Sequence, residues 1–179
     1  MTAARSATGT ASAAVGDRAG AVLASGRVDH LILRSPDPDL AADIVATASA
    51  ADTTVEVWLD LAVDADGRER LRADLAQRLA VPGGVGHETL RDVTRRLGLS
   101  SLRGDVETAY ARGRVEDSAR SVPDELLDAV TVCVDDLPRR VRAYADAGVA
   151  GLTVRLAGDE NAAPEVITAL ATAARSATP

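Results

Sequence analysis

The strict alternation of residues 54–63 constrains the fold more than any other feature of this chain. Valine or leucine occupies every second position from Val55 to Val63, and the positions between them include Glu56, Trp58 and Asp60. Side chains of a β-strand point alternately to its two faces, so the pattern predicts a strand with one aliphatic face and one polar face. This segment is the clearest strand in the sequence.

Other strand and helix patterns alternate around it. Strand-type runs occur at Val28–Arg34 and Gly151–Leu156, each is followed by a helical pattern, and Val130–Val134 is a shorter apolar run. Such alternation predicts parallel βα units, with right-handed crossovers that place the helices on one face of the sheet. We expect one α/β domain over residues 13–179, with about three parallel strands and an inserted helical segment, after a flexible N-terminus over residues 1–12.

Apolar periodicity and capping residues set the expected helices. The periodicity predicts helices at Ser12–Ala24, Leu40–Ala50, Leu71–Leu79, His87–Leu97 and Leu102–Arg114. Ser121 with Asp124 matches a capping box for a helix through Ala129. Asp135 or Asp136 is expected to cap the next helix, Gly148 to end it, and Pro164 to begin the last one.

Composition narrows the classes of function. The 20 basic residues are all arginine, and with 27 acidic residues they give a net charge of −7, which repels nucleic-acid backbones. Cys133 is the single cysteine, so no disulfide forms within the chain. The N-terminal residues lack the apolar core of a signal peptide, and no run is long enough for a membrane helix. We therefore expect a cytoplasmic protein that binds neither nucleic acid nor membrane.

Four segments near the C-terminus follow one another in a characteristic order. They are Val122–Ala129, which contains V-P-D-E-L, then Leu137–Tyr144, Ala147–Val149 and Leu152–Leu156. This order resembles the end of luciferase-like flavin-dependent oxidoreductases, where a V-P-D-E-L helix, a short strand and a helix ending in Y-A-x-A-G-V precede the last strand of a (βα)8 barrel. The family's Gly-Thr-Pro turn is absent here, and residues 134–138 replace it.

The resemblance implies a partial TIM-type barrel. It covers the chain from the helix after the fifth barrel strand to the eighth βα unit, with Trp58 on the seventh strand and strands one to five missing. Gly9, Thr10 and Ser12 are similar to the family's Gly-rich turn, near which the phosphate of the cofactor lies. The family implies FMN or a deazaflavin coenzyme, and we expect neither to bind tightly to this chain alone. The expected partner is a second copy or a chain carrying the missing strands.

The polar faces of the three strands supply the candidate site. Taken together, they present His30, Ile32, Arg34, Glu56, Trp58, Asp60, Gly151, Thr153 and Arg155. The candidate catalytic residues are His30, Glu56, Asp60 and Arg155, and Arg34 and Trp58 join Gly9, Thr10 and Ser12 as candidate cofactor contacts. The arginines would clamp an anion, and Glu56 or Asp60 would orient His30 as a proton donor. The alternatives are a structural network of ion pairs and a Trp58 that packs in a core or interface.

Three further motifs have simpler interpretations. Residues 83–86, rich in glycine, lie before His87 and are either a connector or a source of backbone donors for a phosphate. His30, His87 and Cys133 are too far apart to form a recognisable metal motif, and Cys133 is expected to be buried and inert. The arginines of residues 68–72 alternate with acidic and apolar positions, as on a solvated helix.

Three functional hypotheses follow. The first is a subunit or accessory chain that completes a flavin- or deazaflavin-dependent oxidoreductase, as the resemblance implies. The second is a non-catalytic protein derived from that barrel, which dimerises or binds a small ligand. The third is a self-contained enzyme that uses Glu56, Asp60 and Arg155 on the polar strand face.

Overall fold

A computed structural model describes residues 29–34, 37–50, 52–81 and 87–177 of the chain. The side chains of residues 87–89, 160 and 173–177 lie outside this description. The predicted helix at Ser12–Ala24 and the glycine-rich residues 83–86 also lie outside it.

The described residues form four strands and eight α-helices in an order typical of α/β proteins. The strands are β1 (His30–Arg34), β2 (Thr54–Ala62), β3 (Thr131–Cys133) and β4 (Gly151–Ala157). The helices are α1 (Pro38–Ser49), α2 (Ala65–Ala80), α3 (His87–Arg96), α4 (Leu102–Ala111), α5 (Val115–Arg120), α6 (Asp124–Val130), α7 (Leu137–Asp146) and α8 (Ala163–Ala177). Short 3₁₀ turns at Val134–Asp136 and Glu160–Ala162 precede α7 and α8.

The sheet is parallel and is organised around β2. Strand β4 pairs with β2 from Glu56 to Ala62, β1 pairs with residues 54–58 of β2, and β3 pairs with residues 60–62. Because β4 occupies one edge of β2, β1 and β3 share the opposite edge. The predicted α/β fold with parallel strands is confirmed, and the short apolar run before α7 adds a fourth strand to the three expected.

The sheet carries helices on both faces. The aliphatic face, which includes Leu33, Val57 and Leu61, is buried, and α1, α7 and α8 pack on this side of the fold. Helix α2 instead contributes Asp74 and Arg78 to the polar face. The expectation that the helices share one face was therefore wrong. From β1 to β2 the chain moves across the sheet in one direction, and from β2 to β3 it moves back toward the side of β1. Right-handed crossovers made in opposite directions place their helices on opposite faces, so α2 lies on the other face.

The first turn of α2 packs against the end of β4. The N–H groups of Gly67 and Asp159 both donate to the carboxylate of Asp64, over 2.6 and 2.9 Å. These bonds lower the pKa of Asp64 from its ordinary value. A Cβ atom on Gly67 would lie 2.0 Å from the carbonyl oxygen of Ala157, so only glycine fits at this point. The contact fixes α2 close to the carboxyl ends of β2 and β4.

Several helix boundaries differ from the predictions. Helix α1 begins at Pro38 because Asp37 caps it, accepting a hydrogen bond from the N–H of Leu40 over 2.8 Å. The predicted capping box at Ser121 was wrong, since its hydroxyl donates backwards to the carbonyl of Asp117 and α6 follows Pro123 without a side-chain cap.

The residue before α7 also behaves differently from the prediction. Asp136 occupies the N-cap position but its side chain makes no capping hydrogen bond. It pairs instead with Arg139 over 3.0 Å. Gly148 does end this helix as predicted, with a φ of 80° that favours glycine. Both ends of α7 thus lie where they were predicted, and only the side-chain bond of the N-cap is missing.

The arginines of α2 are less solvated than predicted. Arg68 bonds to Asp124 and Asp128 over 3.0 and 2.7 Å. Arg72 donates to Asp124 over 2.6 Å and to the carbonyl of Val122 over 2.5 Å. The two guanidiniums lower the pKa of Asp124, Arg72 more than Arg68. These arginines tie α6 to α2.

No helix in the described part of the chain is long and apolar enough to cross a membrane.

Candidate functional site

The polar face of the sheet divides into two halves. We call the first half the amino-half surface; it consists of His30, Ile32, Glu56, Trp58 and Thr153. We call the second half the carboxyl-end network; it consists of Arg34, Asp60 and Arg155 from the strands with Asp74 and Arg78 from α2. Strand alternation places the strand residues of both groups on one face, as predicted.

The carboxyl-end network is centred on Asp60, which is 3% exposed. Arg155 donates through Nε to Asp60 over 2.6 Å and through Nη2 to Asp74 over 2.7 Å. Arg78 approaches Asp60 at 3.4 Å, and Arg34 lies 3.9 Å from Asp60 and 3.7 Å from Asp74. The structure thus brings together the predicted residues Arg34, Asp60 and Arg155 at the carboxyl ends of the strands.

Asp74 and Arg78 are the two members of the network that the sequence prediction missed. They are four residues apart on α2, so they lie on one face of the helix, beside the buried stripe of Leu71, Leu75 and Leu79. This spacing is the signal that could have identified them as a pair. It did not say which strand residues they would meet, because that depends on the side of the sheet where α2 packs.

The network carries more positive than negative charge, with three guanidiniums around two carboxylates. Burial and, to a smaller extent, repulsion from Arg34 lower the pKa of Arg78 to about 10. The attraction to Asp60 acts in the opposite direction but is weaker than the repulsion from Arg34. For Arg155, burial acts to lower the pKa, but hydrogen bonds to Asp60 and Asp74 outweigh it and raise the pKa. Arg155 is thus firmly paired, which agrees with the structural interpretation of the network.

On the amino-half surface, His30 pairs with Glu56. Its Nε2 lies 3.3 Å from Oε2 of Glu56, and its Nδ1 lies 3.0 Å from the hydroxyl of Thr54. That hydroxyl donates its one proton to the carbonyl of Asp29, so it accepts from His30 and Nδ1 carries a proton. Of the two predicted partners, Glu56 and not Asp60 orients His30.

Glu56 occupies space that a side chain on β4 would fill. A Cβ atom on Gly151 would lie 3.0 Å from Cγ of Glu56 and 3.1 Å from its Oε1. The glycine predicted on the polar face therefore provides room for the carboxylate. Together, His30, Glu56 and Gly151 form a small polar group near the amino ends of the strands, separate from the carboxyl-end network.

Trp58 is 41% exposed, so it is not a core residue. Thr153, which pairs with it on β4, is also exposed, and Ile32 is half-buried. The stacking and interface alternatives for Trp58 both remain. The exposed indole and the half-buried Ile32 form a small apolar area on this part of the sheet.

The structure adds little about the remaining residues that the sequence singled out. Gly9, Thr10 and Ser12 lie outside the described residues, as does the side chain of His87. Cys133 is half-buried, with Nη1 of Arg68 at 4.0 Å from its sulfur. Within the ranges that the structure describes, no three His, Cys, Asp or Glu side chains are grouped so that they could hold a metal ion.

Comparisons with known proteins assign no family to the chain. No family model matches it. A search of the curated proteins also finds no match. The function is therefore inferred from the geometry of the sheet face and its two halves.

Proposed function

We propose that this chain is a subunit or accessory chain of a barrel-type assembly, whose amino-half surface is covered by further strands from a second chain. Its resemblance to luciferase-like proteins suggests that the completed assembly is a flavin- or deazaflavin-dependent oxidoreductase. On this proposal the added strands cover the amino-half surface, while α2 covers the other half of the polar face, so the sheet is a modified C-terminal part of a (βα)8 barrel, whose regular form has all its helices outside.

The observation that carries the proposal is the uneven cover of the polar face. At the carboxyl ends of the strands, α2 lies over the face and Asp60 is 3% exposed. On the amino-half surface, Trp58 is 41% exposed on the same strand, only two residues away. A parallel sheet normally has both faces covered, so an exposed tryptophan on one face indicates a surface for further protein.

The unpaired edges of the sheet support the same proposal. Strands β1, β2 and β4 lie side by side and are all parallel. Strand β3, which comes between β2 and β4 in the chain, pairs with β2 on the side of β1, and in this the sheet departs from a regular (βα)8 barrel. Within the described residues, the outer edges of β1 and β4 pair with no strand. Unpaired edges favour the addition of strands.

The described residues do not by themselves form a flavin site. Trp58 is the only aromatic residue of the polar face, and its ring could stack on a planar cofactor. Two clefts in the described part of the chain lie away from Trp58, one between α7 and α8 and one beside the end of β4. No catalytic step is therefore assigned to these residues, and the cofactor would be held mainly by the added chain.

A non-catalytic dimer is the second candidate, and the carboxyl-end network favours it. Arg155 donates to Asp60 over 2.6 Å and to Asp74 over 2.7 Å, which leaves these carboxylates little capacity for proton transfer in the region where barrel enzymes act. In this version, the amino-half surfaces of two copies cover each other and no cofactor binds.

Equilibrium dialysis against FMN and a deazaflavin coenzyme distinguishes the two candidates. We expect the chain alone to retain neither at micromolar concentration, about 8 kcal/mol of binding, and the complex with its completing chain to retain one per site. Tight binding to the chain alone would contradict the need for a second chain. A dimer of two copies that retains neither cofactor would favour the non-catalytic candidate.

A further inference from the structure

A cleft of about 450 Å³ lies between α2 and the end of β4. Its lining includes Arg70, Leu71 and Asp74 from α2, Arg155 and Leu156 from β4, and Ala163 at the start of α8. The cleft adjoins the carboxyl-end network, because Arg155 and Asp74 belong to both. It is separate from the amino-half surface.

The charge around the cleft favours an anion. The network carries one positive charge in excess, and Arg70 adds a second on the cleft wall. Asp64 interacts electrostatically with Arg70 and keeps its negative charge, and backbone N–H groups of Gly67 and Asp159 bind its two oxygens. The protein as a whole carries −7, so this local excess of positive charge runs against the overall composition.

Arg155 has donors left for a ligand. Its bonds to Asp60 and Asp74 use Nε and Nη2, which leaves the two N–H groups of Nη1. Its side chain is 49% exposed although both carboxylates hold it in place. A guanidinium fixed in this way loses little conformational freedom when it binds a ligand.

The rest of the lining is apolar. Leu71, Leu156 and Ala163 form the wall beside the charged residues. The volume exceeds what a single inorganic anion fills, so a small organic group has room next to the anion. The phosphate of a monoester carries close to two negative charges at neutral pH and accepts hydrogen bonds from two guanidiniums, which Arg70 and Arg155 supply on the cleft wall.

We propose that this cleft binds a small organic phosphate monoester, with its phosphate at Arg70 and Arg155 and its organic group against Leu71, Leu156 and Ala163. The site does not depend on whether a second chain completes the sheet. Failure of either proposal therefore leaves the other standing.

Isothermal titration of the full chain with phenyl phosphate tests the site. We expect saturable binding that weakens as salt is raised and that is at least tenfold weaker for Arg70→Gln, whose side chain is exposed and removable without unfolding. Arg139→Gln, an exposed arginine on α7, is the matched control and should leave the affinity unchanged.

Three results would overturn the proposal. The first is no saturable binding of phenyl phosphate to the folded chain. The second is an equal loss of affinity in Arg70→Gln and Arg139→Gln, which would mean general attraction to arginine. The third is equal affinity for inorganic phosphate and phenyl phosphate, because the apolar wall would then contribute nothing. Circular dichroism of each variant confirms that it is folded.

Discussion

Replacement of Asp60 by asparagine should destabilise the fold more than any other removal of one charge from the carboxyl-end network. The change keeps the size of the side chain but removes the buried negative charge that faces three guanidiniums. Arg155 bonds to it at 2.6 Å, Arg78 lies at 3.4 Å and Arg34 at 3.9 Å. The cost depends on which of these arginines can turn to water.

Arg78 determines the magnitude. Its side chain is 9% exposed, whereas that of Arg155 is 49% exposed and can be solvated in place. Breaking a fully buried ion pair costs about 3 to 5 kcal/mol, and exposed pairs are worth less than about 1 kcal/mol. Only one of the three arginines is buried, and asparagine still accepts a hydrogen bond. We therefore expect a loss of about 3 kcal/mol in the free energy of unfolding.

Urea denaturation followed by circular dichroism measures this loss. Asp136→Asn, which removes an exposed partner of Arg139, is the control and should change the stability by no more than about 0.5 kcal/mol. In the double variant Asp60→Asn with Arg78→Leu, part of the loss should be recovered, because no buried charge is left unpaired. A loss below about 0.5 kcal/mol for Asp60→Asn would refute the view that the network stabilises the fold.

Two further predictions concern the contact between α2 and β4. Gly67→Ala should destabilise the fold by about 1 to 3 kcal/mol, because the added Cβ would overlap the carbonyl of Ala157. Gly104→Ala is the control, since open space surrounds this residue, and it should stabilise α4 by up to about 1 kcal/mol. Equal effects of the two changes in urea denaturation would contradict the close packing at Gly67. The pKa of Asp64 should lie below 3.8 when measured by carbon-13 NMR, because backbone N–H groups bind its carboxylate. This lowered pKa contributes stability that is fully present above pH 3.8 and is lost as the pH falls through the pKa of the folded state. Titration at or above 3.8 would contradict the backbone bonds to its carboxylate.

The sequence predicted the local structure better than the packing. Alternation in β2 correctly identified the buried leucines and valines, and the polar face with Asp60 and Trp58, because strand geometry fixes which side chains share a face. Gly148 was equally informative because the end of α7 requires a left-handed residue. These predictions depend on residues within a few positions of one another.

The parts that were missed depend on contacts between distant segments. Asp74 and Arg78 join the site because α2 crosses to the polar face, and the sequence gives no measure of that direction. Ser121 prefers the carbonyl of Asp117 to the role of a helix cap because α5, which was not predicted, ends just before it. The contacts of Asp74 and Arg78 thus depended on where α2 packs, and that of Ser121 depended on a helix that the sequence did not predict.

Sedimentation equilibrium of the chain at low micromolar concentration tests most directly whether a second copy covers the amino-half surface. A second copy is the simplest cover for the amino-half surface, and its two-fold packing would bury about 2,000 Å² or more. We expect a species of twice the 18.4 kDa chain mass, which Trp58→Asp dissociates because it places a charge in the interface. A stable 18.4 kDa monomer with a cooperative thermal transition, equally stable with Asp at position 58, would contradict cover of this surface by a second copy.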